Sequence, residues 1–340
     1  MKALTIDHSA PGHLALTTVA DPEPAAHQAL IQVHSFSLNA GEVHHVVPEG
    51  EAGTVPGWDA AGVVVRAAAD GSGPAVGTPV VTVGADGAWA ELRAVDTDLI
   101  GIVPEGADLG PMSTLPVAAG TALRALHRIG PILGRRVLVT GAGGGVGRFT
   151  LQLASRGGAH VTAVTSDPAK AGALRALGAH EIVTDLAALQ HLEPVHGVVE
   201  LVGGAHMVAA HGALAENGVL VAAGHISGDG EQFPYGALFG NGHRHNRQIA
   251  TYYLLDDAVG LGADLTWLAD LTARGELDPQ VSLRTDWTQA ARAAAELAGR
   301  RVPGKAVIDI RSADSTTSTA PSRAPRYRRP DQQNLSVIER

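Results

Sequence analysis

Cysteine is absent from this 340-residue chain, so disulfides and every thiolate-ligated metal centre are excluded. Charge is sparse as well. Only 17% of residues are charged, the formal net charge is -9, and no basic stripe interrupts the body of the chain. Nucleic acid and anionic membrane are therefore poor bulk partners. No uncharged apolar run is as long as a membrane span. The opening MKALTID leads straight into strand-like text with no apolar leader segment, so the expected location is the cytoplasm. What is present is a 45% hydrophobic composition, enough for about two soluble domains that need no covalent staples.

From residue 1 to about residue 115 the text is a series of short strand-like runs broken by Gly, Pro and Asp: MKALTI, LALTTV, QALIQVHSFSL, AAGVVVRAA, TPVVTVG and AWAELRAV. That pattern predicts a mostly antiparallel β unit. At Pro116 the style changes. VAAGTALRALHRIG has helical periodicity, and VLVT, HVTAVT, EIVT, GVVELVG, GVLVAAG and QIATYYLL then alternate with helical text. This is the α/β pattern of an open, doubly wound parallel sheet with helices on both faces. LTWLADLTARGEL and WTQAARAAAELAG read as helices and GKAVIDI as a last strand. From Arg311 the text is rich in Ser, Thr, Pro and Arg, and residues 312–340 are expected to be a disordered tail. Its cluster Arg326, Arg328, Arg329 could meet an acidic partner, though a solvated tail is the plainer reading.

The stretch with most chemistry in it is VLVTGAGGGVG, Val137 to Gly147. An apolar strand enters a glycine cluster and a helical pattern follows at once, as required where a backbone must approach a pyrophosphate. Counted back from Gly147, the hexad reads A-x-G-x-x-G, with Ala142 first and Gly144 in the middle. The next strand, HVTAVT, ends at Thr165 and Ser166 without a carboxylate, and Lys170 follows. An acid there would bind ribose hydroxyls and repel a 2′-phosphate, whereas hydroxyls and an ammonium attract it. The sequence thus favours NADPH over NADH. Asp167, followed by Pro168, reads as a helix N-cap.

With these motifs in order, the chain resembles the zinc-independent, quinone oxidoreductase-like branch of the medium-chain dehydrogenase/reductase superfamily. SLNAGEV, PGWDAAGVV, GAWAELRAV, LPVAAGTALRAL, VLVTGAGGGVG, LGAHEIVTD and GKAVIDI carry the likeness over roughly residues 1–310. Ala142, Gly144, Gly145, Val146 and Gly147 match the A-x-G-G-V-G turn of that branch. The resemblance implies a GroES-like catalytic β domain from residues 1–115 and 261–311, with a Rossmann dinucleotide-binding domain, 116–260, inserted between. It also implies that Thr121 and the backbone at Gly224 pass close to the cofactor. Helix packing and a strand-end turn are their alternatives. Zinc-dependent relatives carry a ligand His in Gly-His-Glu. Here the positions are Gly57, Trp58 and Asp59, and His44-His45 and His243-Arg244-His245 lack ligand spacing, so no metal is expected. Relatives pair the last Rossmann strand edge to edge, which makes QIATYYLL a homodimer candidate.

Without a strong Lewis acid, simple alcohol oxidation is disfavoured. A hydride from the nicotinamide then suits quinones and α,β-unsaturated carbonyls, whose conjugation spreads the charge that develops on oxygen. Asn39 matches the family's asparagine at the edge of the active site, where its amide would orient nicotinamide or substrate. Glu42 falls at the family's Asp position and reads as a structural hydrogen-bonder. His44 falls where the family often has Tyr, and a histidine can give up a proton near neutral pH. A loop histidine with no chemical role is the alternative. Val46 stands where the family has Arg. An enoyl reductase dedicated to a biosynthetic intermediate, or a noncatalytic NADPH-binding protein, is compatible with the same text.

Overall fold

A computed structural model describes residues 1–239 and 244–310. The arginine cluster at 326–329, the expected tail and His243 lie outside these residues.

Two strands, β1 (Lys2–Ile6) and β2 (Leu14–Thr18), form an antiparallel pair. Five more follow before the first long helix: β3 (Gln28–Leu38), β4 (Asp59–Arg66), β5 (Pro79–Val83), β6 (Leu92–Asp96) and β7 (Ile100–Ile102). The alternation in QALIQVHSFSL sets the first part of β3, burying Ala29, Ile31 and Val33, and after a register shift at Val33/Ser35 every residue from Ser35 to Leu38 is buried. The helix Gly120–Ile129 marks the change of style, burying Ala122, Leu123, Ala125 and Leu126.

Beyond it, β8 (Arg136–Val139), β9 (His160–Val164), β10 (Glu181–Val183), β11 (Val195–Glu200), β12 (Leu214–Ala222) and β13 (Gln248–Thr251) build one six-stranded parallel sheet. Its order is β10-β9-β8-β11-β12-β13, so the direction of winding reverses between β8 and β11. A crevice outside the carboxyl ends of those two strands is the usual place for a ligand.

The chain then returns to the first, mostly antiparallel sheet. After the helix Leu261–Ala273 come β14 (Val281–Asp286), the helix Ala290–Ala298 and β15 (Lys305–Asp309). β14 and β15 form a parallel pair, and β15 pairs antiparallel with β3, completing the order β14-β15-β3-β4-β5-β7, with β6 also on β3. VSLRTD and IGI are strands that the sequence patterning does not single out: VSLRTD is half-buried and IGI has only three residues. One core cluster joins Val81 and Val83 of the antiparallel sheet to Val137, Val139 and Val199 of the parallel one. Leu115, Leu126, Leu265 and Leu268 fill the space between them. No helix among the described residues is long and apolar enough to cross a membrane.

Candidate active site

The glycine turn leaves β8 through Thr140 and enters the helix Gly145–Arg156, with Gly144 at its N-cap in an extended conformation. Gly147 is the residue the turn cannot do without. A Cβ there would lie 2.5 Å from the Gly141 carbonyl oxygen and 2.7 Å from the Ala142 Cα. Its absence lets the helix sit directly on the turn and leaves the helix N-terminus open to an anion.

Ala142 is fully buried and its N–H donates to the Val164 carbonyl, which ties the turn to the end of β9. Thr165 follows, with a hydroxyl that accepts from the Asp167 N–H at 3.3 Å and keeps its own hydrogen free to donate elsewhere. Asp167 accepts from the Ala169 N–H, which is the expected cap. Ser166 is exposed. The Lys170 stem lies over the turn, its Cδ 3.1 Å and its Nζ 3.5 Å from where a Cβ on Gly143 would stand. The structure thus places Lys170 over the glycine turn and Ala142 against the end of β9, with the Asp167 carboxylate 3.9 Å from the Lys170 ammonium.

Across the reversal point, Glu200 ends β11 fully buried. Its carboxylate accepts from the Thr140 hydroxyl at 2.9 Å and from the Val202 and Gly203 N–H groups, fixing the loop after β11 against the end of β8. Gly224, just after β12, lets that chain pass close to Leu201, because a Cβ would be 2.9 Å from the Leu201 carbonyl. Thr121 is buried in the first turn of its helix.

The other wall comes from the antiparallel sheet. Asn39 directly follows β3, and Glu42 reaches back three residues to accept the Asn39 N–H at 2.7 Å, as in a capping box. The second Glu42 oxygen accepts from the Trp58 N–H, so this carboxyl holds two loops together, the structural role expected of it. The Trp58 ring packs on Gly41. Asp59 accepts from the Ser37 hydroxyl at 2.7 Å, from the Asn39 amide at 3.1 Å and from the Val117 N–H at 3.3 Å. Lys305, the first residue of β15, donates to the Leu38 carbonyl at 3.1 Å and to the Asn39 Oδ1 at 2.6 Å. The stem of Lys305 packs on the start of the helix after the glycine turn, its Cδ 2.8 Å from where a Cβ on Gly145 would stand. One lysine therefore touches both the glycine turn and Asn39.

Glu42 and Asp59 are fully buried, and Arg93 and Lys305 are 3% exposed. Burial, reinforced by the neighbouring Asp59 charge, pushes the Glu42 carboxyl up to about 8. Burial also raises Asp59, lowers Lys305 against the pull of the two carboxylates, and brings the Arg93 guanidinium down to about 10. His44 stands apart from this group. It lies in the helical stretch Glu42–Val46, half-buried, with its imidazole shifted below the usual value by burial and by His45 and Arg300.

Asp59, Glu200 and Lys305 were not singled out as site residues by motif reading. The signal was there: each is a charged residue set in apolar strand text, in GWDAAGVVV, GVVELVG and GKAVIDI. Such a charge needs buried partners.

The chain matches two family profiles, one described as an alcohol dehydrogenase GroES-like domain over residues 25–105 and one as a zinc-binding dehydrogenase over residues 177–308. It is 33% identical over 178 residues to a 2-methylene-furan-3-one reductase of Solanum lycopersicum, covering 48% of this chain and 46% of that one. It is 31% identical over 173 residues to an NADPH-dependent alkenal/one oxidoreductase of Arabidopsis thaliana, covering 46% of this chain and 45% of that one. The chain thus spans about half the length of these curated relatives. Its structure superposes on a quinone oxidoreductase from Coxiella burnetii with a TM-score of 0.77 and 25% identity, over 92% of this chain and 99% of that one. A zinc ion does not fit the residues present. Trp58 packs on Gly41 where zinc-dependent relatives place a ligand His, Asp59 is consumed by three donors, and no three His, Asp or Glu side chains converge among the described residues.

Proposed function

The chain belongs to the zinc-independent, quinone oxidoreductase-like branch of the medium-chain dehydrogenase/reductases, and from that premise we propose that it is an NADPH-dependent reductase of quinones or α,β-unsaturated carbonyls. The observation that carries the cofactor half is the Lys170 ammonium lying over the glycine turn, beyond a strand end where Thr165 and Ser166 are uncharged; the nearest carboxylate, Asp167, lies 3.9 Å from Lys170 and caps the turn that follows. The substrate half is supported by the names of the relatives and by a donor set unsuited to zinc, which favours a substrate that spreads its own developing charge.

In this reading NADPH, when bound, supplies a hydride. The chain's residues do the rest. Ala142, Gly144, Gly145, Val146 and Gly147 bind the pyrophosphate at the helix N-terminus, and Thr165, Ser166 and Lys170 bind the 2′-phosphate. Thr121 and the Gly224 backbone flank the nicotinamide. Asn39 orients the nicotinamide or the substrate carbonyl. His44 supplies a proton, and because its titration is shifted down it does so best on the acid side of its ordinary range. The working state is a cytoplasmic homodimer.

The test follows NADPH absorbance with a simple quinone, then an enone, then the matching saturated ketone. Turnover of the first two alone is the expected outcome, with His44→Phe slowing it most at low pH. Turnover of the saturated ketone would sink the reading, and tight NADPH binding with no turnover would replace it with a noncatalytic binding protein.

A further inference from the structure

We infer that Lys305 is a positioning residue that fixes which end of the Asn39 carboxamide faces the cleft. The consequence for turnover rests on the reductase reading above, while the lock itself rests on geometry alone.

An asparagine amide has an accepting end and a donating end of nearly the same shape, and nothing in its own chemistry prefers one orientation. Here the two ends meet buried charges of opposite sign. The oxygen accepts from the Lys305 ammonium at 2.6 Å and the nitrogen donates to the Asp59 carboxylate at 3.1 Å. Turning the amide over would set its NH2 against the ammonium and its oxygen against the carboxylate, converting two charge-assisted attractions into two repulsions in a water-poor site. Asn39 is 8% exposed, and with one amide hydrogen spent on Asp59 it has a second left. What it can offer an acceptor is therefore an N–H, the polarity needed by a carbonyl oxygen that gains negative charge.

Lys305 is itself well held. Its ammonium also donates to the Leu38 carbonyl, and its stem packs on Gly145, the first residue of the helix that follows the glycine turn. The orientation of Asn39 is thus referenced to the cofactor turn through one side chain.

The test uses the absence of cysteine. Lys305→Cys is alkylated in the unfolded chain and refolded, with 2-bromoethylamine to rebuild an ammonium or 1-bromopropane to give a neutral side chain of similar length. Asn39 side-chain NH2 signals are followed by NMR without cofactor, identified by their loss in Asn39→Ala. The aminoethyl form is expected to keep a well-separated, slowly exchanging NH2 pair like that of the parent chain. The propyl form should lose that separation, and its kcat with an enone should fall about 10²-fold while NADPH affinity is retained. Asp59→Asn, which needs no refolding, removes the opposite pole and should loosen the same signals. Identical NH2 signatures in the aminoethyl and propyl forms would overturn the inference. If the parent chain turns over neither quinone nor enone, the reductase reading falls and the NMR comparison still decides the lock.

Discussion

Lys170 pairs with Asp167 only loosely, at 3.9 Å, and both side chains are substantially solvated. Such a pair contributes little, so the ammonium is free to turn toward a phosphate dianion held beside the glycine turn. The neutral Thr165 and Ser166 favour the same choice, and Asp167, the carboxylate that follows them, has one oxygen taken up by the Ala169 N–H of its cap. Lys170→Ala should therefore weaken NADPH by about tenfold, the worth of one charge-assisted hydrogen bond, and leave NADH nearly unchanged. Fluorescence titration with both dinucleotides checks this, and an equal loss for the two would remove Lys170 from the 2′-phosphate site.

β13 is the edge of the parallel sheet, pairing only with β12 among the described strands. It has four residues where the text QIATYYLL suggested eight. The chain turns at Leu254, which is buried, and Arg124 holds the turn by donating to the Asp257 and Val259 carbonyls. Ile249 is 39% exposed and Tyr253 is 54% exposed, an apolar, unpaired edge of the kind that invites another strand. Pairing of this edge with its copy across a twofold axis is the expected dimer. Gel filtration should give a dimer for the parent chain and a monomer for Ile249→Lys, whose charge blunts the edge. A parent chain that elutes as a monomer rejects this interface.

At the scale of the whole molecule, the buried charges Glu42, Asp59, Arg93 and Lys305 come from four separate stretches and lie close enough to act on one another's titration, Arg93 through space while it donates to the Thr82 hydroxyl and to the Trp58 and Asp86 carbonyls. Their titration makes stability depend on pH. Glu42 ionises near 4.5 in the unfolded chain and about 8 in the folded one, so between these values the folded chain holds a proton that the unfolded chain has lost. Its contribution is complete below about 4.5 and disappears as pH rises through about 8. Urea unfolding from pH 5 to pH 8 should therefore show falling stability, with a flatter profile in Glu42→Gln. Equal slopes in the two proteins would mean that Glu42 is ionised throughout, held by its two backbone donors.

Local patterning was enough to specify several features. The glycine turn, the alternation of β3, the switch to helical period near Pro116 and the Asp167 cap all depend on neighbours within a few residues, whereas the structural role of Glu42 came from its place in the family pattern and is completed by Trp58, sixteen residues away. The family resemblance added Trp58 in place of a ligand His, and with the absence of cysteine that directed the chemistry away from zinc. The resemblance of ordered motifs carried the two-sheet architecture, because the return of β15 to β3 is a pairing across most of the chain that no window reveals. Only the tertiary structure decided which buried charges meet. Asp59, Glu200 and Lys305 were visible as charges in apolar text, but a charge announces only that it needs a partner. That Lys305 touches the glycine turn with its stem and Asn39 with its ammonium follows from the packing of two sheets, and that contact turns a phosphate-binding turn and an isolated asparagine into one site.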